Sequence, residues 1–280
     1  MTWRCRTRPN RLDPKEHEQG DERLTQYDRL ILDVFFQHYE QGAERIEFSK
    51  DELSGAATAR GVTIRNMPDL IYTYRARRRL PQPILATGNW AIVAHGKGRY
   101  AFVLLANEPH FDIPFGDYAP VDIPNAIPDV VENFLSGDEQ SLLISVLYNR
   151  LADIFTGLTC FHVQNHYRGF IAHLGQFELD DLYVGLDASG TIHILPLEAK
   201  SKSPADMLGR VQIGHMSQLA RQNFPALSRR IIAVKALADE TIGMVEFSDE
   251  VEPDEIRIRC VSRFRLVRRT RTHGGESPQH

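Results

Sequence analysis

Two acids and a lysine are spaced for hydrolytic chemistry. Asp180 is followed eighteen residues later by Glu198-Ala-Lys200. The runs 175–187 and 191–200 have an extended pattern, and Asp187-Ala-Ser-Gly190 between them has the composition of a turn. In a hairpin centred near 189, residues with a constant index sum lie opposite each other, so position 198 falls opposite 179–181. The pair Asp180/Asp181 therefore faces Glu198, and the period of two puts Glu198 and Lys200 on one face. Acids at the buried end of a strand pair coordinate a cation or pair with a base. Mg²⁺ takes one or two carboxylates together with waters and phosphate oxygens. Such an ion activates water and neutralises charge at phosphorus, and a lysine beside it can position the water or stabilise the developing charge. Asp180 is the preferred ligand because it shares a face with Glu178; Asp181 stays open as the alternative. The competing reading is a surface hairpin whose Glu198–Lys200 pair is a solvated salt bridge of little energetic value.

The elements that must hold these residues follow from periodicity. Ser136-Gly-Asp-Glu139 reads as a capping box opening a helix that buries Leu142, Leu143, Val146, Leu147, Leu151, Ile154 and Phe155 and stops at Gly157. Three strands, a helix over about 204–222 and strands at 230–236 and 256–267 come next. That order suits a mixed sheet flanked by helices, an α/β arrangement.

With those elements in place, Asp180 and Glu198-Ala-Lys200 resemble the PD-(D/E)xK nuclease superfamily, the fold of many type II restriction endonucleases, over residues 129–268. Glu178-Leu-Asp180 also looks like the Glu-apolar-Asp variant of resolvase-like members. The resemblance implies a restriction-endonuclease-like domain in which Asp180, or Asp181, and Glu198 hold Mg²⁺, with Mn²⁺ as a substitute, and Lys200 assists the water. It implies a glutamine from the following helix, Gln212 or Gln218, and an acid from the preceding one, Glu139. Double-stranded DNA is the implied substrate, a homodimer the implied assembly, and restriction or defence the implied role. The rival is a DNA-binding regulator with an inactive nuclease-like domain. No proline precedes Asp180, and Pro196 lies inside the motif strand, where a bulge or one-sided pairing is required.

Residues 24–106 read as a separate small domain. Tyr27, Leu30, Ile31, Val34, Phe35 and His38 share a helical face, Arg45–Phe48 is extended, Ser49-Lys-Asp-Glu52 is a capping box, and Asn66 opens a third helix ended by Pro81 and Pro83. Two apolar runs around His95-Gly-Lys-Gly98 make a hairpin. This order resembles a winged helix, in which the third helix enters the major groove and the wing touches the backbone. That resemblance implies DNA contacts from Arg75, Arg78 and Arg79 and from Lys97 and Arg99.

Charge supports a polyanionic partner locally rather than globally. The 280 residues carry a net −4, yet 60–80 hold six arginines against Asp69, and 256–271 hold seven arginines and no acid. Period two places Arg257, Arg259, Arg263 and Arg265 on one strand face, a candidate phosphate track or a charged edge. With 42% hydrophobic and 25% charged residues the chain reads as globular. No window is apolar enough to span a membrane, residues 1–23 have no apolar core of a secretory signal, and Cys5, Cys160 and Cys260 make neither a disulfide framework nor a metal pair. The expected setting is cytoplasmic, with Cys160 and Cys260 as buried thiols. His162, His166 and His173 match no closed zinc site. Residues 1–23 are expected to be a loose arm, 107–128, with five prolines, a linker or a packed extended connection, and 269–280 a disordered tail.

Overall fold

A computed structural model describes residues 24–64, 66–172 and 174–268. The expected arm and tail, together with Arg65 and His173, lie outside the described residues. The protein is mixed α/β, with one small and one large sheet. Among the described residues no helix is long and apolar enough to cross a membrane.

The first helix, α1 (Gln26–His38), starts at Thr25, whose hydroxyl accepts from the Asp28 N–H while the Asp28 carboxylate reaches back to Thr25. Its face Leu30, Ile31, Val34 and Phe35 is buried. Strand β1 (Arg45–Ser49) runs into α2 (Lys50–Ala59) through the expected Ser49/Glu52 capping box. Helix α3 (Met67–Tyr72) widens into a π-helical turn, Thr73–Arg77. Pro81 and Pro83 then open a further short helix, α4 (Gln82–Leu85), that hydrophobic spacing does not reveal. Strands β2 (Trp90–Ala94) and β3 (Arg99–Leu104) form the expected hairpin, and β1 joins it in the antiparallel order β1-β3-β2. Edge-to-face contacts of Phe35 with Trp90 and Phe102 tie α1 to this sheet.

Of the two readings of residues 107–128, a linker or a packed extended connection, the structure shows the packed one. Phe111, Phe115 and Ile127 are buried, and β4 (Val121–Pro124) pairs in parallel with the last strand of the large sheet. A short helix, α5 (Asp129–Glu132), precedes α6 (Glu139–Tyr148). The cap of α6 is Asp138, which accepts from the Ser141 N–H, in place of the expected Ser136. The single helix expected to reach Gly157 is broken at Arg150, which takes a left-handed φ of 54°, and resumes as α7 (Leu151–Thr156). Gly157, at φ 72°, ends α7 as expected.

The large sheet follows: β5 (Thr159–Ile171), β6 (Gly175–Leu186) and β7 (Ile192–Lys200), then α8 (Arg210–Asn223), then β8 (Ser228–Arg229), β9 (Ile231–Ala236), β10 (Ile242–Phe247) and β11 (Ile258–Val267). Its order is β4-β11-β10-β9-β7-β6-β5, with β7 parallel to β9 and β5, β6 and β7 successively antiparallel. One face buries Leu182, Ile194, Ala233 and Val245 under α8 residues Ile213, Met216 and Leu219. The opposite face buries Tyr183, Leu195, Leu197, Ile232 and Val234 under Leu142, Leu143, Val146 and Leu151. Pro196 needs no bulge. The partner of β7 on that side changes from β8, at 193–194, to β9, at 197–200, so the missing donor falls in the gap.

Strand β11 forms as expected, but its arginines do not make a free phosphate track. Arg257 precedes the strand, and a register shift opposite Arg259 breaks the period. Arg259 pairs with Asp249, Arg265 with Asp122 and Arg263 with Asp239, while Arg257 donates to the Asp254 and Ile256 carbonyls. Cys160 is the expected buried free thiol, whereas Cys260 is half-buried, which corrects its reading as a buried thiol.

The small domain rests on the large one through little apolar surface. Ala91 and Leu105 meet Val211 at the start of α8. The Asp254 carboxylate accepts the backbone N–H groups of Ala106 and Asn107, and Arg210 donates to the Glu108 carbonyl.

Candidate functional site

The β6–β7 register pairs Asp181 with Leu197, which carries Asp180 opposite Glu198. Asp180 and Glu198 therefore share the α8 face of the sheet, and Lys200 follows two residues on. The expected constellation assembles with few adjustments. The Lys200 Nζ donates to Glu198 Oε1 at 2.9 Å and lies 3.7 Å from Asp206. Gln212, in the first turn of α8, donates its amide to the same Glu198 oxygen at 2.5 Å. Asp180 accepts the backbone N–H of Ala199 at 2.8 Å. Glu139 opens α6 and bonds Asp206, within the fields of Lys200 and Glu198, so it joins the edge of the group. Gln218 lies six residues beyond Gln212, about one and two-thirds turns, and so points away from Gln212's direction.

Electrostatics set this site apart from an ordinary ion pair. Lys200, Glu198 and Gln212 are buried, which removes the reading of Glu198–Lys200 as a solvated surface bridge. Burial and then the Glu198 carboxylate push Asp180 up to about 8. Burial alone would lower Lys200, but Glu198 and Asp206 outweigh it and hold the ammonium above its ordinary value. Burial and the bond to Asp206 raise Glu139.

Asp181 is not part of this group, which corrects its place among the candidate ligands and catalytic residues. Alternation sends it through the sheet to the α6–α7 face, where it bonds His162 at 2.5 Å beside Tyr183. His166 pairs with Glu178 on the strand surface.

A cleft of about 360 Å³ opens over the carboxylates, lined on the sheet side by Glu178, Asp180 and Glu198 and on α8 by Gln212 and His215. Tyr72 and Arg75 of the small domain close its far wall. His215, three residues from Gln212 on α8, is pushed down to about 3 by burial and by Arg75. Sequence spacing contains no signal that Tyr72 and Arg75 reach this cleft, because their approach depends on how the domains dock.

The expected major-groove helix is thus committed elsewhere. Arg75 turns into the cleft, and Arg78 bonds Asp28 at 3.0 Å and lies over the Tyr74 ring. Arg79 is exposed near the site's edge, where it and Lys200 act on His110, which burial holds down at about 4. Lys97 and Arg99 stand exposed at the hairpin tip.

Among the described residues no group of three or more His, Cys, Asp or Glu is arranged to hold a metal ion. Two carboxylates converge, however, and Asp180 is desolvated against a second negative charge. A hard divalent cation fits such a donor pair when waters and phosphate oxygens complete its shell. No protein-family model, curated protein or solved structure matches this chain.

Proposed function

We propose that the protein is a Mg²⁺-dependent phosphodiesterase acting on DNA, an endonuclease of the PD-(D/E)xK kind. The observation that carries this reading is the convergence of Asp180, Glu198, Lys200 and Gln212 on one sheet face beneath a cleft. Asp180 and Glu198 would hold the ion, which would supply an activated water and neutralise charge at phosphorus. Lys200 keeps a cation next to the attacked phosphate, and Gln212 orients Glu198. The succession α6-α7-β5-β6-β7-α8-β8-β9, with β9 parallel to β7, supports the same resemblance. The helix and strand order of 24–106, with its β1-β3-β2 sheet, supports a winged-helix domain whose exposed Arg79, Lys97 and Arg99 draw DNA toward the cleft. Restriction or defence, and a homodimer bringing two sites to two strands, follow from the resemblance alone.

The second reading is a regulator with an inactive nuclease-like domain. It is favoured by Glu198 Oε1, which already accepts from both Lys200 and Gln212. Plasmid nicking in Mg²⁺ against EDTA separates the two. The nuclease reading expects Mg²⁺-dependent nicking that falls about 10²–10³-fold in Lys200→Ala and Lys200→Met. The methionine variant guards against collapse of the buried site. Nicking by neither the wild type nor the variants, in Mg²⁺ or Mn²⁺, contradicts the nuclease reading and leaves the regulator.

A further inference from the structure

Two residues that line the cleft from different domains each carry a buried polar atom without a partner: Arg75 Nε and Gln212 Oε1. Arg75 sits on the π-helical turn after α3, and the backbone of that turn lies against Gly209 at the start of α8. Its side chain lines the wall facing Asp180 and Glu198 and lies close enough to His215 to lower that ring's pKa. Among the described residues no carboxylate forms an ion pair with Arg75. A guanidinium remains charged at every ordinary pH, and burying one without an anion is costly. One wall thus carries Asp180 and the Lys200-bonded Glu198, and the other a half-buried cation with no carboxylate partner among the described residues.

A phosphodiester completes both halves. Its fork-like match to guanidinium gives Arg75 a charge-assisted bond, and its other oxygens complete the shell of an ion held by Asp180 and Glu198. The cleft's volume is on the small-ligand scale rather than that of a duplex. We propose that Arg75 is a phosphate-binding residue of the hydrolytic site, donated by the small domain, so that the active site is complete only when the two domains are docked. This rests on the reading of the cleft as a phosphodiesterase site. The small domain then has two tasks: to attract nucleic acid and to close on one phosphate of the strand.

The test uses the full chain and thymidine 5′-monophosphate as probe, with affinity measured by calorimetry in Mg²⁺ and cleavage measured in parallel. Arg75→Ala and Arg75→Gln should bind the nucleotide about ten- to a hundredfold more weakly than wild type while melting no lower than wild type. Arg75→Lys, with a point charge in place of the fork, should recover part of the affinity. Arg45→Ala, on the outer strand β1, should bind as wild type. Equal affinity in wild type, Arg75→Gln and Arg75→Lys overturns the inference, as does a wild type that does not bind the nucleotide. Arg75-dependent binding with no cleavage keeps the phosphate site and removes the nuclease reading. Cleavage that ignores Arg75 does the reverse.

Discussion

At the residue scale, neighbours in sequence part company in space. Asp180 and Asp181 differ by one position and face opposite sides of the sheet. The hairpin register narrows the acid to 179–181, but choosing between adjacent acids needs the strand phase that packing sets. Arg78 and Arg79 diverge in the same way. Arg78 completes a network with Asp28, Tyr74 and Thr25 that holds α1 to the π turn, and Arg79 is exposed. Arg78→Ala should therefore cost about 1–2 kcal/mol in urea denaturation, whereas Arg79→Ala should stay within about 0.5 kcal/mol. Equal costs would contradict the network. Titration offers a second check. His110 and His215 are kept neutral by burial, with folded values of about 4 and about 3, while unfolded histidine titrates near 6.5. Their stabilising effect is complete above about pH 6.5. It is lost as pH falls through the window below, because only the unfolded chain takes up protons there. His110→Gln should flatten the stability–pH profile between about pH 6.5 and 4.5, with a difference of about 2 kcal/mol at pH 5. Parallel profiles for variant and wild type would show that His110 does not titrate this way.

At the element scale, the legible parts are those with a local physical signature. The β6–β7 hairpin announces itself by alternation and turn composition, and α1 and α2 by face and cap. The break between α6 and α7 does not, because a left-handed Arg150 interrupts an otherwise continuous apolar stripe. Strand β4 hides in a proline-rich stretch, since its pairing with β11 is entirely non-local. The β11 arginines are expected in the right strand but as free charges. Their acids come from Asp122, Asp239 and Asp249, far away or across a turn. Helix α8 carries Gln212 and His215 to the cleft, and its placement depends on Gly214, where a methyl would collide with the Val251 carbonyl. Gly214→Ala should therefore destabilise by about 1–3 kcal/mol despite its better helix propensity. A neutral or stabilising result by thermal melting would mean that α8 is not pinned against that segment.

At the scale of the whole molecule, two cores are joined by a modest apolar contact and a few polar clamps. Interfaces of that kind permit relative domain motion, and the proposed function calls on such motion to bring a duplex to a cleft that Tyr72 and Arg75 line. In the proposed function, the exposed cations Arg79, Lys97 and Arg99 supply the long-range attraction. Changing all three to alanine should weaken DNA binding and reduce the salt slope by about 0.9 for each phosphate that is no longer neutralised. An unchanged slope in gel shifts would remove this surface from the DNA path.

The carboxylate on the α8 face is assigned the chemistry, and its neighbour in sequence is not. Single-turnover plasmid cleavage in Mg²⁺ by Asp180→Asn and Asp181→Asn, each checked for a folded melting transition, tests this directly. Asp180→Asn should lose cleavage about 10²–10³-fold, while Asp181→Asn should cut within a few-fold of wild type. Equal losses in both variants, or full cleavage by Asp180→Asn, would contradict the assignment.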